Sequence, residues 1–399
     1  MKSVSSFWLV IALWGAGLGA AAQFGKMSVI HDLSALRYPL AGPMALGLLV
    51  SIIGFPGLIF GTTAGIFVQG LGYRRVLVAA LALGAVLSLV QAPMLPLPLM
   101  LGLRVIEGLS HLAIVVAAPV LIAQVAPVAR QGLAMTLWSS FFGVTYAVMA
   151  LLGRPLAEAM GPGALLLAHG AYMAGFALLL ARLLPADPPR GGLNLSPEAV
   201  LRQHGTIYAS PRIAAPAMGF VCYTITYVAV LTLLPPFAGP GLQALLATAM
   251  PLTSIAVSLT LGVWLLGRMS AVRVVVLGFA VAVLAAAVLG VVWGQAASMI
   301  AACLVIAAAL GVVQGASFAS IPQLNAAGAD RAQAAGAVAQ LGNLGTTTGT
   351  PLLSALILGF GSTGLAGFIL GFSALGIALH LWQGWRRQTR STAPPPACQ

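Results

Sequence analysis

Three short segments in the first half of the chain recur, in weakened form, about two hundred residues later. The segments and their counterparts are residues 65–75 and 262–268, 104–108 and 311–315, and 130–132 and 331–336. Both copies lie among hydrophobic stretches long enough to cross a bilayer. A chain built this way folds as two related halves, and parallel repeats place a solute site at the interface between them.

Hydrophobic residues exceed what a soluble core requires. They make up 60% of the 399 residues, charged residues only 6%, and the mean hydropathy is +1.04. Stretches close to the ~20 residues of a membrane helix occur at residues 7–22, 44–68, 76–93, 97–125, 133–152, 164–184, 213–234, 242–266, 272–292, 296–321, 334–358 and 365–382. We predict an all-α membrane protein with about 12 transmembrane helices in two pseudo-symmetric six-helix bundles.

One long polar stretch divides the chain. Residues 185–211 are rich in proline, glycine and charge, and we predict a cytoplasmic linker there. The N-terminal bundle is then residues 1–184 and the C-terminal bundle residues 212–385. Residues 386–399 are basic and then proline-rich, with too little apolar content to pack, so we expect a disordered cytoplasmic tail.

Positive charge is spread between the hydrophobic stretches. The net charge of +12 and the pI near 10.7 would suit a nucleic-acid binder, but such a protein clusters its cations along one groove. With the N-terminus inside, 14 cations fall on the cytoplasmic side and 3 outside. The cytoplasmic set is Lys2, Arg74, Arg75, Arg130, Arg182, Arg190, Arg202, Arg212, Arg268, Arg273, Arg331, Arg386, Arg387 and Arg390, and the outer set is Lys26, Arg37 and Arg154. This asymmetry predicts cytoplasmic N- and C-termini in the inner (plasma) membrane.

The sequence lacks the patterns of catalytic and cofactor sites. Cys222, Cys303 and Cys398 are far apart and lack metal-ligand spacing. No H-E-x-x-H, G-x-S-x-G or phosphate-binding G-x-x-x-x-G-K-[ST] pattern occurs. We therefore expect no cofactor and no metal, and neither an intramembrane enzyme nor an ATP-driven pump. The expected partners are a small-molecule substrate, protons and the lipid bilayer, with no nucleic acid, and we expect a monomer.

The loop after the second hydrophobic stretch carries a family pattern. It resembles G-x-L-A-D-R-x-G-R-R-x-x-L, which joins the second and third helices of the major facilitator superfamily. The matching residues are Gly65, Gly72, Arg74, Arg75 and Leu77. Gln69 stands where the family usually has Asp, and Gly70 where it usually has Arg. The resemblance implies a conformational switch loop formed by Gly65, Gln69, Gly72, Arg74 and Arg75, without the family's charge relay through Asp.

A second match lies in the fourth hydrophobic stretch. Arg104, Glu107 and Gly108 resemble R-x-x-Q-G, a fourth-helix pattern often associated with proton-coupled members of this family. The resemblance implies a 12-helix transporter that works by alternating access. It identifies neither the subfamily nor the substrate.

Arg104, Glu107 and His111 fall at positions i, i+3 and i+7 and therefore share one face of a helix. At 1.5 Å per residue from residue 97, Arg104 lies ~10 Å deep and Glu107 ~15 Å deep, near the bilayer midplane. Ionisable groups at that depth are costly and generally belong to a pathway or a coupling mechanism. We predict that Glu107 and Arg104 couple transport to protons, and the alternative is a structural pair that locks neighbouring helices.

Candidate substrate-binding residues lie in both halves. Gln23 and Lys26 follow the first hydrophobic stretch, and Lys26 with Arg104 would make the outer cavity electropositive, which favours an anionic substrate. The alternative is a lysine that extends to the membrane surface. The second half offers hydrogen-bonding groups and aromatic faces. The full candidate set is Lys26, Gln23, Arg104, His111, Tyr223, Tyr227, Gln314 and Phe318.

These features together predict a secondary active transporter that moves a small organic solute by alternating access coupled to protons, and the cations of the outer cavity favour an anionic solute. The alternatives are a proton-driven drug or metabolite efflux antiporter and a proton-independent uniporter. The sequence names neither the substrate nor the direction of transport.

Overall fold

The computed structural model describes residues 6–127, 134, 137–187 and 197–391, and no strand occurs among them. The helices of the first half are α1 (Ser6–Val29), α2 (His31–Arg37), α3 (Pro43–Ser51), α4 (Phe55–Leu71), α5 (Tyr73–Gln91), α6 (Leu97–Val125), α7 (Phe141–Val148), α8 (Arg154–Met160) and α9 (Pro162–Leu183). The remaining helices are α10 (Pro197–Ala209), α11 (Ala214–Phe237), α12 (Pro240–Val257), α13 (Val263–Leu266), α14 (Ala271–Val292), α15 (Ala296–Leu324) and α16 (Gly328–Ser391).

In the described part of the chain, 10 helices are long and apolar enough to cross a membrane. One of them, residues 333–389, is two helices joined at Gly361, where φ 58° and ψ −136° are not helical. A further crossing is formed by α7 and α8 with the π-helical turn Met149–Gly153 between them. The predicted all-α fold of two six-helix bundles is confirmed.

Several helices meet at tight corners made of glycine followed by proline. Gly161 and Gly239 have φ of 85° and 97°, a region that residues with a side chain rarely adopt. Pro162 and Pro240 follow as the first residues of α9 and α12, where the missing N–H costs no helical hydrogen bond. These corners allow consecutive membrane helices to run antiparallel with almost no loop.

The two halves pack closely through small residues. A methyl group at Gly47 of α3 would lie 2.6 Å from the Pro351 Cα of α16, and one at Gly61 of α4 would lie 2.7 Å from the Gln340 Cα. From Gly47 to Gly61 the residue numbers rise, while those of their partners fall from Pro351 to Gln340. The segment formed by α3 and α4 therefore runs antiparallel to the part of α16 that precedes Gly361. In lipid, where hydrophobicity gives helices no drive to associate, such close approach supplies packing energy.

Candidate functional site

Lys26, Arg104 and Glu107 meet inside the N-terminal bundle, and none of them has exposed surface. Lys26 Nζ on α1 lies 2.7 Å from Glu107 Oε1 on α6, and Arg104 Nη1 lies 2.6 Å from Glu107 Oε2. Arg104 and Glu107, which the i, i+3 spacing placed on one helical face, are thus in contact. The fold brings Lys26 to the same carboxylate as a second cation. We call these three residues the ion cluster.

Arg104 is held in place by the backbone of α3. Its Nε donates to the Leu49 carbonyl at 2.9 Å and its Nη2 to the Val50 carbonyl at 3.1 Å. These carbonyls lie just before the 3₁₀ turn Ile52–Gly54, which interrupts the regular helical hydrogen-bond pattern. The guanidinium therefore connects α6 to α3, and each of its three nitrogens donates a hydrogen bond.

Polar side chains from α5 and α9 surround the ion cluster. Lys26 Nζ donates to Ser88 Oγ at 2.8 Å, Gln91 Nε2 donates to Glu107 Oε2 at 2.9 Å, and His169 Nδ1 lies 3.5 Å from Lys26 Nζ. Lys26 is therefore directed into the bundle and does not extend to the membrane surface. Sequence reasoning overlooked Ser88 and Gln91 and placed His169 away from the expected cavity. The only sequence signal for these residues is that each is a polar residue isolated in an apolar stretch.

The ion cluster carries two cations and one anion. Because Arg remains protonated under all biological conditions, a protonated Lys26 leaves one positive charge without a partner. An uncompensated charge in a low-dielectric bundle is costly. The cluster is therefore disposed either to attract an anion or to release a proton.

Gln23 on α1 and His111 on α6 extend this group of buried polar side chains. Gln23 Nε2 donates to Ser110 Oγ at 2.9 Å, and Gln23 Oε1 has no partner among the described residues. His111 Nδ1 lies 3.0 Å from the Ala20 carbonyl oxygen, and its ring meets the Phe24 ring edge-on with centroids 5.0 Å apart. Both candidates lie within two helical turns of the ion cluster.

The tyrosines predicted for the other half lie on α11. The Tyr223 and Tyr227 rings stack with centroids 5.0 Å apart, and the Tyr227 hydroxyl donates to Ser254 Oγ at 3.2 Å. Across the interface, the Tyr146 hydroxyl of α7 is buried without a hydrogen-bond partner in the described part of the chain. This aromatic group faces the boundary between the halves.

Phe318 and Gln314 lie on α15. The Phe318 ring meets Phe220 edge-on at 5.2 Å and is 42% exposed, and Gln314 is half-buried. Among the described residues, no hydrogen bond joins the candidates of the second half to the ion cluster. The structure therefore separates the predicted binding residues into two groups, one in each bundle.

At the end of the molecule where α2 lies, polar contacts bridge the two halves. Ser28 Oγ and Thr232 Oγ1 are 2.6 Å apart, and Asp32 binds both Arg154 and Gln243, whose Nε2 lies 3.3 Å from the carboxylate. Burial alone would raise the pKa of Asp32, but the hydrogen bonds from Arg154 and Gln243 outweigh it and lower that pKa below its usual value. We call Asp32, Arg154 and Gln243 the α2-end latch.

At the opposite end, α10 of the linker bridges the halves. His204 Nε2 lies 2.8 Å from Thr62 Oγ1 of α4 and 3.2 Å from Gln340 Nε2 of α16. The Tyr208 hydroxyl donates to Gln340 Oε1 at 2.7 Å, and burial raises the pKa of Tyr208 to about 12, so this donor stays protonated. The two halves are therefore bridged at both ends, and the three residues of the ion cluster have no exposed surface.

The predicted switch loop contains the corner between α4 and α5. Gly72 has φ 102°, and the Arg74 and Arg75 amides donate to the Asp187 carboxylate at 3.1 and 2.9 Å. An anion there suits the positive end of the α5 dipole. Asp187 follows α9 and was missed in the sequence. Gly65 and Gln69 belong to α4, and their surroundings fall outside the described part of the structure.

Two cavities flank the bundles. One of about 220 Å³ lies between α1, α7, α8 and α9, and His169, Thr145 and Tyr172 contribute its polar wall. The other, of about 420 Å³, lies along α16 around Gly361 and is lined by apolar residues, glycines and a threonine. Only the first cavity reaches a side chain that contacts the ion cluster.

Comparisons with known proteins agree with this architecture. The sequence model of the Major Facilitator Superfamily matches residues 3–328. Among curated proteins, none matches the chain.

Two solved structures share the fold. A bacterial homologue of the human lysosomal transporter Spinster, in an inward-facing and unoccupied conformation, is 14% identical with a TM-score of 0.72, over 100% of each chain. The E. coli fucose:proton symporter FucP is 16% identical with a TM-score of 0.68, over 94% of this chain and 98% of that chain. The chain is therefore a multi-pass membrane transporter and not an enzyme, and it belongs to the major facilitator superfamily.

Proposed function

We propose that the protein is a secondary active transporter that moves a small organic solute bearing an anionic group, with protons bound at the ion cluster. The observation that carries this proposal is the buried cluster of Lys26, Arg104 and Glu107, with two cations to one anion and no exposed surface. A bundle stabilised only by packing would not need this cluster. An ionisable group at such depth is by default part of a pathway or a coupling mechanism.

Coupling follows from the charge balance. An anionic substrate that enters between the halves favours the protonated, positively charged cluster, and its departure favours loss of the proton. Release of the α2-end latch while the contacts of α10 hold, and then the reverse, would expose the site first to one side and then to the other. The likeness to a fucose:proton symporter supports proton coupling as a mode available to this fold.

The arrangement in the membrane completes the proposal. The asymmetry of 14 cations against 3 supports a plasma-membrane protein with α10, the linker of residues 185–211 and both termini in the cytoplasm. The α2-end latch would then close the outer side. The bundles of residues 1–184 and 212–385 would be the two rocking bodies, in a protein that acts as a monomer.

The substrate class can be tested by thermal-shift binding. Purified protein is screened against a panel of mono- and dicarboxylates and their neutral amides, because a ligand that binds the folded state raises its melting temperature. We expect carboxylates to stabilise the protein and amides not to. A carboxylate that stabilises the parent should lose its effect in Arg104→Gln. Stabilisation by amides alone, or equal loss for both ligand types, would contradict an anion-selective site.

A further inference from the structure

The hydrogen bonds of His169 define which ring nitrogen carries its proton. His169 Nε2 lies 3.0 Å from the Gly19 carbonyl oxygen, which can only accept. Nε2 must therefore carry the hydrogen, and Nδ1 presents a lone pair. That lone pair faces Ser88 Oγ at 2.9 Å and Lys26 Nζ at 3.5 Å.

Ser88 completes a continuous chain from Lys26 to His169. Its oxygen accepts from Lys26 Nζ at 2.8 Å, and its single hydrogen lies within reach of the Leu166 carbonyl at 3.0 Å and of His169 Nδ1 at 2.9 Å. A proton leaving Lys26 thus has an acceptor both directly and through one hydroxyl group. The chain lies within the N-terminal bundle and does not use the interface between the halves.

Glu107, by contrast, is surrounded by donors. Its Oε1 accepts from Lys26, and its Oε2 accepts from Arg104 at 2.6 Å and from Gln91 at 2.9 Å. A proton added to either oxygen would displace one of these donors and leave two buried cations without an anion. Arg104 cannot release a proton, so the charge that can leave the cluster is the one on Lys26.

We propose that the exchangeable proton of the ion cluster resides on Lys26 and passes to His169 Nδ1, while Glu107 stays ionised as the anchor of both cations. In this step a Lys26 Nζ–H bond breaks and a His169 Nδ1–H bond forms, which leaves a neutral amine and an imidazolium. When that proton leaves the imidazolium for water, the charge of the cluster and His169 falls from +1 to zero. This assignment deepens the proposed function and rests on it for its role in transport.

The surroundings leave few competing proton carriers. The charged groups that act on this pair are Arg104 and Glu107 on α6. The nearby titratable groups are His111 on α6 and Tyr172 on α9, which lines the same cavity as His169. His111 Nδ1 is occupied by the Ala20 carbonyl at 3.0 Å, and no hydrogen bond joins His111 to Lys26 or to His169 among the described residues. His169 also lines the cavity of about 220 Å³, but most of that lining is apolar, and an apolar cavity stays dry. The water that takes the proton from the imidazolium therefore enters when the bundles move, as the proposed alternating access requires.

An NMR test has few signals to assign, because Lys2 and Lys26 are the only lysines in the sequence and Glu107 is one of three glutamates. Protein labelled with ¹³C at the lysine ε-carbon and the glutamate carboxyl carbon is reconstituted in nanodiscs and titrated by NMR without substrate. Lys2→Arg and Glu107→Gln assign the signals. We expect Lys26 to convert from ammonium to amine while Lys2 is still an ammonium, with the Glu107 carboxylate unchanged. Titration of Glu107 together with a Lys26 that stays an ammonium would overturn the proposal.

The acceptor is tested separately with ¹⁵N-histidine, assigned by His169→Gln. We expect the His169 tautomer with hydrogen on Nε2, and the opposite tautomer would overturn the relay. In liposomes, His169→Gln keeps a donor toward Gly19 but has no basic nitrogen, so uphill uptake of a panel carboxylate should fall while downhill exchange persists. The matched control is His380→Gln, which removes a buried histidine of the other half and should leave uptake unchanged. Because the NMR experiments need no substrate, their failure is distinct from failure of the transport proposal.

Discussion

The charge balance of the ion cluster predicts an asymmetry between two apolar substitutions. Glu107→Leu removes the only anion and leaves the Lys26 and Arg104 cations buried together, whereas Lys26→Met leaves a neutral pair of Arg104 and Glu107. The two variants remove opposite partners of one 2.7 Å contact. Their effects on stability should nevertheless differ greatly.

The magnitude follows from the distances. At an effective dielectric constant of about 20, two unit charges 2.7 Å apart attract each other by roughly 6 kcal/mol, and Glu107 makes two such contacts. Desolvation offsets much of this attraction, and breaking a buried pair by removal of one partner generally costs about 3–5 kcal/mol. We expect Glu107→Leu to destabilise the folded protein by that amount. Lys26→Met loses about 1 kcal/mol of hydrogen bonding and regains part of it by removing the unpaired charge.

The assay is the melting temperature of purified protein in one mild detergent, with Glu107→Gln as the variant that retains the size and hydrogen-bonding groups of the acid. We expect the order parent and Lys26→Met, then Glu107→Gln, then Glu107→Leu. The deficit of Glu107→Leu should shrink as pH rises, because Lys26 can lose its charge and Arg104 cannot. Equal destabilisation by Lys26→Met and Glu107→Leu would refute the idea of a surplus cation.

Three further predictions concern the rest of the molecule. Gly47→Ala should lower the melting temperature and the transport rate, because its methyl group would lie 2.6 Å from the Pro351 backbone. The control Gly102→Ala should change neither, because its methyl group meets nothing within 4 Å. Equal effects of the two variants would contradict the packing argument. Asp32→Asn should open the α2 end at neutral pH, measured as a longer distance between spin labels on α2 and α12. Since the Asp32 pKa is lowered, the parent latch should hold at neutral pH and weaken only as pH falls below about 4. An unchanged distance in the variant would show that the latch is not needed. A cysteine at Leu40, which is fully exposed, should react with an impermeant reagent added to intact cells, and reaction only in inverted vesicles would reverse the proposed orientation.

Much of the fold could be predicted from the sequence because each membrane helix is recognisable from its own residues. A run of about 20 apolar residues specifies a crossing whatever its neighbours are, and the Arg104–Glu107 contact needed only the i, i+3 spacing of one helix. The corners with positive φ at Gly161 and Gly239 also have a local pattern, glycine followed by proline, but we made no prediction from it.

The composition of the candidate site was less accessible because it depends on contacts between distant helices. Lys26 and Glu107 are 81 residues apart, and Lys26 and His169 are 143 apart, so no periodicity links them. Ser88 and Gln91 resemble any polar residue tolerated in an apolar helix. The packing of α1 against α5, α6 and α9 is what turns these single residues into a network.

The same limitation separates the predicted substrate residues. Tyr223 and Tyr227 share a helical face by spacing, but the structure stacks them on each other on α11, apart from Lys26. Their assignment to a common substrate site stays a prediction until the site is seen open. Asp187, which caps α5, was also out of reach, because its partners are 113 and 112 residues earlier in the chain.

The central claim, that protons bound at the ion cluster drive solute transport, is tested most directly by uptake into liposomes with and without a pH gradient. The probe is a carboxylate that stabilises the parent protein in the thermal-shift screen, and the variant is Glu107→Gln, which removes the anchor of both cations without changing its size. The control is Glu198→Gln on the exposed face of α10. We predict that the parent and the control accumulate the carboxylate against its gradient only when the pH gradient is present, whereas Glu107→Gln exchanges it without accumulation. Accumulation by Glu107→Gln equal to that of the parent, or parent uptake indifferent to the pH gradient, would contradict the account.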